Sequence, residues 1–205
     1  MSKRFLTVGS LLREGELLEY KDEIKKRDDI TYPFYEDLKG YKEAEDKAVA
    51  EVVKAQKDHD LVQITDGEFS KSLWHLDFVW GLHGVDRYIT DNGYFFRDKD
   101  GKEEKYETRR DIGIKIIDKL NGKNHPFIDH FKRLKGLADN TQTKLTIPSP
   151  SHIYGELTLF IGLDDGYYAG EEAEFGKDLV ASYKDFLKEY KQAGGQIIQF
   201  DDCLW

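Results

Sequence analysis

The chain has 205 residues, of which 39% are hydrophobic and 35% are charged, and its formal net charge at pH 7 is -9. This length allows one sizeable hydrophobic core. The negative charge argues against a nucleic-acid-binding surface, because phosphate recognition needs clustered lysine and arginine side chains.

The cysteine content and the first apolar stretch indicate in which cellular compartment the protein is expected. Cys203 is the only cysteine, which excludes a disulfide framework and a paired-cysteine zinc site within the chain. A reducing compartment is therefore expected, and we predict a cytoplasmic protein. Residues 5–12 are apolar but include Thr7 and Ser10, and the stretch is too short to span a membrane.

The N-terminal part predicts a short strand and a helix. Residues 5–10 indicate a strand that ends at Gly9 and Ser10, where a backbone without a side chain could approach a ligand closely. An ordinary strand-to-loop turn is the alternative. Residues 13–40 are charged and aromatic, and apolar side chains recur at helical spacing over residues 42–59.

Two later strands end in acidic residues. The apolar run 61–64 leads into Asp66 and Glu68, and residues 196–200 lead into Asp201 in the same way. Continuous apolar runs suit a parallel sheet that is covered on both faces. Because ligands bind at the carboxyl ends of such strands, these acids are predicted to share one site.

An aromatic excursion follows Glu68. Turn signals at residues 91–93 and 98–101 predict a hairpin, and residues 112–117 alternate as a strand does. The aromatic side chains of this excursion are expected to form a satellite core under the loop. They are Trp80, Tyr88, Tyr94, Phe95 and Phe96.

The C-terminal half continues the alternation of strands and helices. Residues 126–137 predict an amphipathic helix, and residues 144–150 predict a strand that two prolines end. Residues 171–192 predict the longest helix, with a stop at Gly194 and Gly195. The helix stripe consists of Leu179, Val180, Tyr183, Phe186, Leu187 and Tyr190.

This alternation predicts an α/β fold with a parallel sheet, in one domain over residues 1–205. Strands near Val8, Ile64, Ile147 and Ile198 would form about half of a (β/α)8 TIM barrel, with the aromatic insertion after the second strand. A half barrel leaves open strand edges. We therefore expect either a longer natural chain or a homodimer.

Four short motifs follow the predicted strands. They are Val8-Gly9-Ser10, Thr65-Asp66-Gly67-Glu68, Ile147-Pro148-Ser149-Pro150 and Ile198-Gln199-Phe200-Asp201-Asp202. In this order they resemble the first half of the catalytic barrel of cobalamin-independent methionine synthase and its shorter bacterial relatives. The resemblance implies a zinc-dependent (β/α)8 methyltransferase that moves a methyl group from a methylated folate to the thiol of homocysteine.

The resemblance also implies a division of labour in substrate binding. Gly9 and Ser10 would bind the carboxylate of homocysteine, and Glu68 and Asp201 would bind its ammonium group. Buried ammonium groups need carboxylate partners, and buried carboxylates need N–H donors.

Methylated folate, the co-substrate, would lie across the aromatic rim of the barrel. The resemblance implies contacts from Trp74, Ser149 and His152.

Two departures from the family pattern concern the second acid and the metal. This chain has Asp201-Asp202-Cys203 where the family usually has Asp-Glu-Pro. The zinc ligands of the family are a His-x-Cys pair, a Glu and a second Cys, and they are expected outside this segment. The six histidines include no i, i+4 pair and no His-x-His. We therefore predict no metal ligand and no catalytic residue within the segment, and expect each histidine on the surface or in a loop.

Two other functions remain open. A glycoside hydrolase could use the two rim carboxylates as acid and base or nucleophile, which requires roughly 5 to 9.5 Å between them. A non-catalytic binding or assembly module is the other alternative.

Overall fold

The computed structural model of the chain describes residues 5–24, 38–91, 96–97, 103–104, 112–161 and 163–203. The helices are α1 Gly15–Ile24, α2 Tyr41–Asp58, α3 Leu76–Trp80, α4 Phe127–Ala138, α5 Pro150–Gly155 and α6 Glu172–Gln192, with a π-helix at Glu156–Ile161. The strands are β1 Gln63–Ile64, β2 His83–Tyr88, β3 Phe96–Arg97, β4 Glu103–Glu104, β5 Gly113–Asn121, β6 Gln142–Pro148 and β7 Ile197–Asp201.

The central sheet is parallel, with the strand order β1-β6-β7. Ile64 lies opposite Thr143, and Leu145 lies opposite Ile198. Phe5 forms an isolated parallel bridge with Leu61 ahead of β1. The predicted α/β fold with a parallel sheet is confirmed, and all three strands direct their carboxyl ends to the same edge. The barrel stays a prediction.

The three helices predicted from periodicity are confirmed with shifts of about one residue at their ends. Helix α4 packs against α2 and α6 beside the sheet. The predicted stripe of α6 was wrong at one position, because Val180 is 45% exposed while Phe186 and Tyr190 are buried. Helix α2 buries Val49 and Val53 on one face, as its spacing predicts.

The excursion between β1 and α4 forms two antiparallel ribbons. Strand β5 pairs with β2, and β3 pairs with β4 as the predicted hairpin. Trp80 is buried and donates its indole N–H to the Gly113 carbonyl at 3.3 Å. Tyr88 is half-exposed rather than part of a satellite core. Tyr94 and Phe95 lie outside the described residues.

Two local expectations were wrong. The predicted first strand is reduced to the bridge at Phe5, because residues 6–10 have no strand partner within the described ranges. The histidines are not all on the surface or in loops: His152 lies in helix α5 and is 6% exposed, whereas His125 lies in a loop but is 1% exposed. In the described part of the chain, no helix is both long and apolar enough to span a bilayer.

Candidate functional site

A cavity of about 380 Å³ opens at the carboxyl edge of the parallel sheet. Its lining brings together four of the predicted site residues, Ser10, Glu68, Trp74 and Asp201. The other lining residues are Val8, Arg13, Lys71, Ser72, Leu73 and Cys203. Glu68 and Asp201, the acids predicted after β1 and β7, therefore line one cavity, whereas Asp66 is not among its lining residues.

The turn that carries Glu68 has an unusual backbone. Glu68 has φ 61° and Gly67 has φ 69°, both in the left-handed region. Non-glycine residues rarely adopt this conformation, and it concentrates at functional sites. Side chains of the same turn hold it: Glu68 N donates to Asp66 Oδ1 at 2.9 Å, and Gly67 N donates to Thr65 Oγ1 at 3.1 Å.

Glu68 forms a buried ion pair at the cavity floor. Lys71 Nζ lies 2.7 Å from Glu68 Oε1 and also donates to the Thr146 carbonyl at 2.7 Å. Thr146 Oγ1 donates to the same carboxylate oxygen at 2.6 Å. Burial by itself raises the pKa of Glu68, but Lys71 and the hydrogen bonds outweigh it and hold the pKa below its usual value. Glu68 is therefore ionised near pH 7.

Asp201 differs from Glu68 in its electrostatic environment. Burial raises the pKa of Asp201, and the charge of Glu68 raises it further. Gln199 Nε2 donates to Asp201 Oδ1 at 2.6 Å. The two acids repel each other, so a cation placed between them would be stabilised by both.

Arg13 contributes a positive charge that the sequence analysis missed. Its Nη2 donates to the carbonyls of Glu68 at 2.5 Å and Lys71 at 2.9 Å, and the guanidinium lies over the Phe69 ring. Its Nε is buried without a hydrogen-bond partner. Arg13 lies in a charged stretch whose tertiary position no local spacing indicates.

Gly9 supports the cavity without lining it. Its carbonyl accepts from Thr65 Oγ1 at 2.8 Å, and its φ is 144°. A Cβ at this position would lie 2.5 Å from Thr146 Cγ2. Glycine is therefore required here for the close approach of residues 5–10 to β6, and the expected contact between Gly9 and a ligand stays a prediction.

Ser149 caps helix α5. Its Oγ accepts from His152 N at 2.9 Å and donates to Asp202 Oδ2 at 2.6 Å. Ser149 N also donates to the Asp201 carbonyl at 2.8 Å, which ties the end of β6 to the end of β7. Ser149 and His152 are outside the cavity lining, so their expected contacts with folate stay predictions.

Three metal-ligating side chains meet beside Trp74. His75 Nε2 lies 3.2 Å from Glu156 Oε1, and His152 Nε2 lies 3.4 Å from Glu156 Oε2. Ligand atoms of the three residues all lie within 4.8 Å of one another. Burial lowers the pKa of His152, so its imidazole is neutral near pH 7. This group was missed because His75 is 81 residues from Glu156 in the sequence, and because only pairs of histidines were considered as metal ligands.

The zinc implied by the family resemblance does not fit these donors. Its ligand set contains two cysteines, whereas the group beside Trp74 contains two imidazoles and one carboxylate. Cys203 is exposed at the cavity and is not part of this group. The described residues therefore do not form the thiol-activating zinc site of that family.

Comparisons with known proteins agree with a methionine-synthase-like fold. No protein-family model matches the chain. The chain is 33% identical over 199 residues to the uncharacterized protein YxjH of Bacillus subtilis, and 28% identical over 165 residues to the uncharacterized protein YxjG of the same organism. These matches cover 97% and 80% of this chain but only 47% and 40% of the two relatives. The chain therefore spans about half of the relatives' length.

Two solved structures share the fold. A Listeria monocytogenes protein assigned as a vitamin-B12-independent methionine synthase matches with a TM-score of 0.67 and 28% identity, over 95% of this chain and 50% of that one. A B12-independent methionine synthase of Shewanella sp. W3-18-1, solved in complex with selenomethionine, matches with a TM-score of 0.62 over 96% and 50% of the two chains. The identity in the second match is 18%, so it shows the fold alone.

Proposed function

We propose that this segment binds the amino-acid end of homocysteine in a methyltransferase of the methionine-synthase type, which uses a methylated folate as donor. The observation that carries the proposal is the charge arrangement in the cavity. The charges of Glu68 and Lys71, whose atoms lie 2.7 Å apart, neutralise each other. Asp201 and Arg13 then remain as a negatively and a positively charged side chain in the lining of the cavity.

A zwitterionic amino acid complements this arrangement. Its ammonium group would be bound by Asp201, whose pKa is raised by burial and by the charge of Glu68 and would fall again beside a bound cation. Its carboxylate would be bound by the Arg13 guanidinium and by Ser10, which also lines the cavity. Charged groups of both signs in one half-buried cavity favour a zwitterion over a simple anion or cation.

The segment orients the substrate but does not activate the thiol. In the family, a bound zinc would lower the pKa of the thiol and make it nucleophilic at neutral pH. Because the described residues do not supply the cysteine ligands, we assign no step of methyl transfer to them, and expect the zinc ligands outside this segment.

The folate is proposed to stack on Trp74. This indole lies in the cavity wall and is only partly buried, which leaves part of its surface for contact with a planar ring. Ser149 would contribute to this wall indirectly, because its hydrogen bonds to the Asp202 side chain and the Asp201 carbonyl connect the end of β6 to the end of β7.

The test is calorimetric titration of the 205-residue chain with L-homocysteine. Asp201→Asn keeps the side-chain shape and removes its charge, so we expect binding to weaken by about 10-fold to 100-fold through loss of a charge-assisted contact. Asp165→Asn is the matched control, because that side chain is 87% exposed and lies outside the cavity lining.

Equal affinity of wild type and Asp201→Asn would contradict the proposal. Glu68→Gln is a less informative variant, because it also removes the buried partner of Lys71. Unfolding curves of Asp201→Asn that match those of the wild type would exclude loss of folding as the cause of weaker binding.

A glycoside hydrolase is the second candidate, favoured by one observation. The pKa of Asp201 is raised and that of Glu68 is lowered, as a general acid and a nucleophile require. The engagement of Glu68 with Lys71 and Thr146 opposes a role as nucleophile. Hydrolysis of aryl glycosides by the wild type, and its loss in Asp201→Asn, would favour this function instead.

A further inference from the structure

We propose that His75, His152 and Glu156 form a second metal site that binds a divalent transition metal of the zinc class. This site is independent of the homocysteine proposal and distinct from the thiol-activating zinc, which requires cysteine ligands. Two imidazoles and one carboxylate are a donor set that binds zinc and leaves one position for water or another ligand.

Two distances between the ligand atoms are close to those of tetrahedral coordination. Two ligands at 2.0 to 2.1 Å from a tetrahedral zinc ion lie roughly 3.3 Å apart. The Nε2 atoms of His75 and His152 lie 3.2 and 3.4 Å from the two oxygens of Glu156. An ion could therefore bind with small side-chain adjustments, without a change in the backbone.

Burial distinguishes this group from exposed clusters of polar residues. The side chains of His152 and Glu156 are only 8% and 9% exposed, and that of His75 is 13% exposed. Nδ1 of His152 is buried without a hydrogen-bond partner. The nitrogen that would bind the ion is Nε2, so the site is inferred from the burial and the spacing of its three ligands and not from this Nδ1 atom.

Local structure pre-positions the three ligands. His152 in α5 and Glu156 at the start of the π-helix are four residues apart, so both face the same side. π-helical turns occur frequently at functional sites. His75 is carried by the loop before α3, and Trp74 packs on both imidazoles with ring centroids 4.7 and 5.0 Å apart.

The site adjoins the substrate cavity. Trp74 lines that cavity on one side and contacts His75 and His152 on the other. A metal bound here would fix Trp74 and its loop relative to α5. His152 would then act as a metal ligand and not as a direct contact of folate.

The test measures metal binding by the 205-residue chain with Zn²⁺ and Co²⁺ as probes. We expect one ion per chain by elemental analysis after dialysis, and visible Co²⁺ absorption that is typical of tetrahedral coordination. Glu156→Gln and His75→Ala should each weaken Zn²⁺ binding by more than about 100-fold, because loss of a ligand exceeds the loss seen for outer contacts.

The matched control is His83→Gln. His83 also faces a carboxylate, that of Asp118 at 3.6 Å, but both side chains are more than half-exposed and lie outside the proposed site. This variant should bind Zn²⁺ as the wild type does. Stoichiometric binding that the Glu156 and His75 variants retain would overturn the proposal, and so would a wild type that binds no ion.

X-ray absorption of the zinc-loaded wild type gives a readout that does not depend on the folding of any variant. The proposal predicts nitrogen and oxygen ligands at about 2.0 to 2.1 Å, including imidazole scattering. A sulfur shell at about 2.3 Å would place the ion on Cys203 instead and overturn the assignment. Neither result depends on whether homocysteine binds.

Discussion

At Glu68, an unusual backbone conformation and a buried ion pair occur in the same residue. The left-handed φ of 61° directs the carboxylate towards Lys71 and Thr146 at the cavity floor. Both partners of the ion pair have side chains less than 10% exposed. Removing one charge from such a pair leaves the other buried and unpaired, which costs far more than the loss of a surface pair.

We predict that Glu68→Gln lowers the free energy of unfolding by about 3 kcal/mol, measured by urea denaturation at pH 7. Glu174→Gln is a matched control, because Glu174 and Lys177 have the same i, i+3 spacing at 3.0 Å but are exposed. That change should stay within about 0.5 kcal/mol. Similar losses in both variants would contradict a special role for the buried pair.

The same pair makes stability depend on pH in a defined direction. The pKa of Glu68 is lower in the folded state than its ordinary value of 4.5, as is that of Glu45 beside Arg133. An acid with a lowered pKa contributes stability above its unfolded pKa and loses it as the pH falls through the folded value. Between pH 5 and pH 3, the wild type should therefore lose more stability than Glu68→Gln.

His125 is predicted to stay neutral throughout the physiological range. Its Nε2 donates to the Phe78 carbonyl at 2.9 Å, and its Nδ1 accepts from Phe127 N at 3.1 Å. Burial lowers its pKa to about 3. Because the unfolded imidazole binds a proton near pH 6.5 and the folded one does not, this residue costs stability as the pH falls below 6.5.

The measurement for His125 is an NMR titration of its ring nitrogens. We expect the neutral tautomer with the proton on Nε2 at every pH from 5 to 8, where the chain is folded. An inflection of the His125 signals between pH 5 and pH 8 would show that the imidazole is not buried as described.

At the scale of elements, the loop before α3 is held by one acidic side chain. Asp77 is buried and accepts from Ser72 N at 2.7 Å and from Leu73 N at 3.0 Å. These bonds fix the loop that carries Trp74 and His75. Asp77, which lies in α3, therefore positions both Trp74 in the cavity wall and His75, the proposed metal ligand.

We predict that Asp77→Ala destabilises the protein by about 2 to 4 kcal/mol, because two partly buried N–H groups lose their acceptor. Thermal unfolding measures the change, and amide exchange at Ser72 and Leu73 should accelerate. Asp165→Ala serves as the control, since it removes only an exposed ion pair with Lys115. Unchanged exchange in Asp77→Ala would show that the loop is held by other contacts.

The sequence correctly predicted the helices and strands in which the spacing of apolar residues determines which side chains are buried. Helices α2, α4 and α6 each bury one stripe of their surface, and the residues of β6 from Lys144 to Pro148 are all buried. Strand β2 was missed because its stability comes from pairing with β5 and not from burial: Val85 and Arg87 are partly buried, whereas Asp86 and Tyr88 are exposed. Pairing between distant segments leaves no local period to detect.

For the whole molecule, parallel strands account for the part of the site that could be predicted. The carboxyl ends of β1 and β7 had to meet once both were assigned to one parallel sheet, which placed Glu68 and Asp201 together. Arg13 and the group of His75, His152 and Glu156 depend on loops and side-chain directions. His75 and Glu156 are 81 residues apart, so no motif of closely spaced histidines in the sequence indicates this group.

The central claim is that the cavity recognises both ends of a zwitterionic amino acid. Calorimetric titration of the 205-residue chain with three thiols tests it most directly. The thiols are L-homocysteine, 4-sulfanylbutanoate, which lacks the ammonium group, and 3-sulfanylpropan-1-amine, which lacks the carboxylate. We predict that each analogue binds at least about 10-fold more weakly than homocysteine, because each loses a charge-assisted contact. Equal affinities for all three thiols would contradict the claim.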